Sequence, residues 1–105
     1  MELVEARTIA PDKARPLALR VAATHRLANS DENMDLVLLF ELASAAVEPE
    51  LSTVAGKSAA RVLLRQGRPN DAPLDDFSGP AYLAFDEAVA QSQDGNAMVA
   101  HENPE

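Results

Sequence analysis

Between Met34 and Val47 only Asp35, Glu41 and Ser44 are polar, and a stretch so apolar has to be covered on nearly every side wherever it folds. On a helical wheel Glu41, Ser44 and Glu48 share a narrow arc of roughly 60°. The segment therefore reads as a helix at the centre of a bundle, or as half of a subunit interface, and the remaining elements have to be arranged around it. A chain of 105 residues supports one domain and one modest core. Small residues and leucine supply most of that core, since the aromatics are only Phe40, Phe77, Tyr82 and Phe85.

The flanking segments are divided by their breakers. Residues 1–11 alternate weakly at Met1, Leu3 and Ile9 and end at Pro11, which suits a frayed arm or a short edge strand. From Asp12 to Asn29 the chain is rich in Ala, Leu and Arg. It is predicted helical, with Asp12 as N-cap and Pro16 in the first turn, where its missing N–H is tolerated. Asn29–Asn33 is a polar break, and Ser30 or Asp31 can cap the central helix that follows.

Glu48-Pro49-Glu50 ends that helix, and a third is predicted from about Leu51 to Gln66, closed by Gly67 at C′ with Pro69 beyond. Residues 67–80 break both helix and strand and form an internal loop or linker. A last helix is predicted from Gly79 to Ser92, capped by Ser78, with Tyr82, Phe85 and Val89 on one side. Asp94-Gly95-Asn96 is a turn signal, and 93–105 is expected to be a tail without fixed structure.

These elements give an all-α fold: a single domain, 1–105, built as a small bundle of about four helices with a flexible acidic C-terminal third. The alternative is α+β with a hairpin at 17–28/34–43, because apolar residues also alternate in both segments. Helices are preferred, since Ala is frequent there and β-branched residues are few.

Charge is distributed unevenly. All nine basic residues lie in the first 68 positions, and the net charge of −8 arises in the last 37 residues. Eight acids stand there without a base: Asp71, Asp75, Asp76, Asp86, Glu87, Asp94, Glu102 and Glu105. Within the third helix Lys57, Arg61, Arg65 and Arg68 fall inside roughly 80° of one another. They stand opposite Ala55, Ala59, Val62 and Leu63. This stripe is the best local candidate for binding an acidic partner surface, although a solvated face near the cation-favouring end of a helix explains it equally well.

Other chemistry is poorly provided for. With no cysteine, disulfides and thiolate ligands are excluded. Gly56-Lys57-Ser58 resembles the end of a phosphate-binding loop, yet Leu51 occupies the place of the required earlier glycine. His25 and His101 lack partners at metal-ligand spacing. The consecutive acids Asp75-Asp76 and Asp86-Glu87 read as solvated surface, and no serine sits in a nucleophile elbow.

No catalytic residue, metal or cofactor is assigned, and an enzyme is disfavoured. A sequence pI near 4.6 disfavours direct nucleic-acid binding. No apolar run reaches the ~18 residues needed to cross a bilayer, and the acidic N-terminus is unlike a secretory signal, so a cytoplasmic protein is expected. An Arg-over-Lys, Ala-rich usage is common in GC-rich bacterial genomes.

The resulting expectation is a non-catalytic protein–protein interaction module: an adaptor, inhibitor or small regulatory subunit. It would act through the stripe and the acidic C-terminal region, with a protein partner or a second copy of itself. The alternative is an acidic nucleic-acid mimic that inhibits a DNA- or RNA-binding partner, as small phage or mobile-element proteins do.

Overall fold

The computed structural model describes the backbone of residues 1–102 and the side chains of residues 1–92. The chain is a helical bundle: α1 (Leu3–Ile9), α2 (Leu17–Leu27), α3 (Asn33–Ala43), α4 (Pro49–Arg65) and α5 (Gly79–Glu102), with a 3₁₀ turn at Leu74–Asp76. Both segments of the alternative hairpin are helices, so the α+β reading is overturned. α4 is the hub, packing against α2, α3 and α5, while α1 packs on α2. The α4 face predicted to turn inward does so: Ala55, Ala59, Val62 and Leu63 are buried.

α1 replaces the expected arm or strand. Seven residues cannot hold a helix alone. Here Ala6 and Ala10 are fully buried, and Glu2 and Glu5 form a capping box at its start. The second helix begins five residues later than its predicted cap. A residue before proline is disfavoured in helical conformation, so Arg15 stays outside and Pro16 becomes the N-cap. Asp12 instead accepts the Ala14 N–H (3.0 Å) in a local turn.

α3 stops at Ala43 rather than at Val47. It is less enclosed than its composition implied, with Met34 and Val37 exposed. Glu32, not Ser30 or Asp31, is its N-cap residue. α4 opens with Pro49 at the position where a missing donor costs nothing. It closes as predicted: Gly67 has φ +71°, the Gly67 N–H bonds the Leu64 carbonyl (3.1 Å), and the Arg68 N–H bonds that of Leu63 (2.7 Å). That pair of bonds is a Schellman motif.

The 67–78 segment returns the chain to the start of α4 and is held by its last two residues. Phe77 is buried edge-on to Phe85 at 5.9 Å and tilted to Phe40 at 6.1 Å. The Ser78 N–H caps the Ala43 carbonyl at the end of α3 (2.9 Å). Its hydroxyl donates to Ser52 Oγ (2.9 Å) and accepts from the Ala81 N–H (3.2 Å), as the predicted cap of α5 should.

One residue thus joins three helices and starts α5 alongside the first turns of α4, running parallel to it. Gly56 sits at their closest approach, where a Cβ would lie 2.4 Å from the Ala81 carbonyl oxygen. On α5, Ala81 and Phe85 face inward, whereas Tyr82, expected beside Phe85, is exposed. The helix continues through Asp94-Gly95-Asn96, so the predicted turn there does not form. Residues 103–105 and the side chains from position 93 onward, over which the free tail was expected, lie outside the described residues.

Candidate interaction surface

The helical spacing of α4 places Lys57, Arg61 and Arg65 on one exposed line. Arg68 leaves that line because the helix ends at Arg65 and Gly67 reverses the chain. The cations then divide by what they touch.

Arg65 donates to the carbonyls of Ala28 (3.0 Å) and Ser30 (2.8 Å) and to the Asp31 carboxylate (3.0 Å). It therefore closes the C-terminal end of α2 onto α4. Arg68 donates to Gln66 (2.7 Å) and pairs with Asp71 at 3.4 Å. Among the described residues Lys57 and Arg61 make no ion pair. Those two are the cations of the stripe whose charge is not already engaged by a carboxylate of the described residues.

Lys57 borders a shallow cleft of about 390 Å³ between α4 and α5. Its floor is Ala84 and Ala88, with Leu83 and Glu87 on the α5 side and Thr53 on the α4 side. Leu83 is 67% exposed. A large apolar side chain standing this far into water beside an unpaired ammonium and a carboxylate offers both contact area and direction to a docking chain.

Two further arginines, Arg7 and Arg20, have structural roles that sequence spacing did not reveal. Arg7 holds Asp35 through Nε (2.7 Å) and Nη2 (3.0 Å), and the Ser30 hydroxyl donates to the same carboxylate. Burial pushes the Asp35 carboxyl up, but the bonds from Arg7 and Ser30 and the Arg7 charge outweigh it and leave the pKa below its ordinary value.

A lowered carboxylate pKa contributes stability above the unfolded value and loses it as pH falls through the folded one. Asp35→Asn is accordingly expected to lower the denaturation midpoint by a constant amount above about pH 4, with the difference from the native chain closing in more acid solution. Urea titrations on both sides of that pH check this. A gap that persists unchanged in acid would contradict it.

Arg20 is almost wholly buried, reaching the Ala10 carbonyl (3.0 Å) and both oxygens of Glu48. It ties the end of α1 and the start of α4 to α2. Each of these partners lies 10 or 28 residues away in sequence, beyond the reach of any local motif.

Gly56 lies inside α4 and meets the α5 backbone, so the Gly56-Lys57-Ser58 tripeptide forms no loop. His25 is exposed, and His101 lies among the positions whose side chains are not described. Asp75, Asp76, Asp86 and Glu87 are exposed. Among the described residues no three His, Asp or Glu side chains converge as metal ligands, and no helix is long and apolar enough to cross a membrane. No protein-family model, curated protein or solved structure matches this chain.

Proposed function

We propose that this protein is a non-catalytic interaction module that docks an acidic protein surface on α4. The carrying observation is the contrast along one helix: Arg65 is tied into the bundle, while Lys57 and Arg61 make no ion pair among the described residues, and Lys57 borders an apolar cleft. A cation at the rim of such a cleft, with a second one turn along the helix, steers an acidic partner and fixes its register, and the exposed Leu83 supplies apolar contact.

In this reading the module works as an adaptor or small regulatory subunit. Reversing both charges, Lys57→Glu with Arg61→Glu, is expected to abolish partner capture without changing the circular dichroism spectrum. The check is affinity capture from the native host, followed by titration of the captured protein with purified wild-type and doubly reversed chains. Equal affinity for both would reject the reading. Arg65 is unsuitable for this test, because its loss would loosen α2 from α4 before any partner is considered.

A further inference from the structure

The cleft carries its own complement. Lys57 stands on the α4 rim, with Arg61 one turn further along that helix, and Glu87 stands on the α5 rim. Between them lie Ala84 and Ala88, and Leu83 stands beside Glu87 on the α5 rim. A cleft with opposite charges on its two rims matches itself when turned by 180° about its long direction, because each charge then faces its opposite.

We infer that the acidic surface engaged by Lys57 and Arg61 is α5 of a second copy of this chain, packed about a two-fold axis so that each Leu83 enters the other copy's α4–α5 cleft. This rests on the interaction reading above and names its partner.

Charge favours this face over the exposed apolar one on α3. On α3, Met34 and Val37 stand beside Glu41, and the helix carries no basic residue. Two copies meeting there would bring like charges together, which opposes association. At the α4–α5 face, by contrast, Lys57 of each copy meets the partner's Glu87. The symmetry doubles every such pair, so one substitution alters two contacts at once.

A charge swap tests the geometry. Lys57→Glu places carboxylates on both sides of each contact, and Glu87→Lys places ammoniums there; each alone is expected to weaken dimerisation about tenfold. Mixing the two variants restores both pairs in a heterodimer, and the double variant Lys57→Glu/Glu87→Lys restores them in a homodimer. Sedimentation equilibrium over a concentration series reads all four, with circular dichroism showing that each folds, and Leu83→Glu serves as an independent disruption.

Recovery of the dimer in the mixture and in the double variant supports the assignment. A wild-type chain that stays monomeric at submillimolar concentration overturns it, as does a dimer indifferent to both reversals. If the wild type is monomeric yet the doubly reversed Lys57/Arg61 chain still loses a captured partner, the interaction reading stands and the self-partner is wrong.

Discussion

Replacing Gly56 with leucine is expected to detach α5 from α4 and to cost more stability than any surface change in this protein. Glycine inside a helix is about 1 kcal/mol less favourable than alanine, so its presence in the middle of α4 needs a compensating reason. That reason is steric: a Cβ here would meet the Ala81 carbonyl oxygen at 2.4 Å and two further backbone atoms at 3.0 Å. Backbone cannot swing aside as a side-chain tip can, and the helix pair would have to separate.

Even Gly56→Ala, which gains helix propensity, is expected to lose about 1–3 kcal/mol through overpacking. Leucine is a strong helix former, so any loss it causes belongs to the crossing and not to α4 itself. Gly79, with open space around it, is the control, and Gly79→Ala should be neutral. Urea midpoints and protease cutting between residues 67 and 78 provide the readout. A Gly56→Leu chain as stable as the native one would show that α5 does not pack there.

The second large effect is expected at Glu48. Arg20 is 3% exposed, and Glu48→Ala would leave its guanidinium buried with only the Ala10 carbonyl to bond. Removing one partner of a buried pair costs about 3–5 kcal/mol, a large share of the 5–15 kcal/mol that holds a typical domain together. Glu48 itself keeps some contact with water, its side chain 24% exposed, which favours the lower end.

At about 3 kcal/mol the melting temperature of a chain this size falls by roughly 15 °C. Glu48→Gln retains an acceptor for one N–H and should lose less. A thermal scan of the three proteins separates these outcomes. Unchanged melting in Glu48→Ala would mean that Arg20 finds water or another acceptor.

Two local signals led to correct local structure. Gly67 marks the end of α4 and Ser78 the start of α5, because both act within a few residues of themselves. The period of the basic line is likewise a property of one helix. What the line touches is not: Arg65 resembles Arg61 in sequence and differs from it only because the end of α2 folds against it.

The same holds for Asp35. As an acid near the start of α3 it suits the helix dipole, and nothing local foretells Arg7, 28 positions earlier, or the burial of the carboxylate. α1 was obscured for a related reason, since its stability comes from Ala6 and Ala10 packing beneath α2 and not from its own seven residues. Gly56 drew notice as part of a phosphate motif. Only the path of α5 reveals why it lacks a side chain.

Seven arginines to two lysines invited an explanation from codon usage alone. Yet Arg7 grips both oxygens of one carboxylate, and Arg20 and Arg65 each bind a carboxylate and at least one backbone carbonyl. A single ammonium cannot reproduce such forked geometry. As a gene of this kind drifts in base composition over evolutionary time, lysine is free to replace arginine at positions 15 and 61. At 7, 20 and 65 selection for a folded product will purge the exchange.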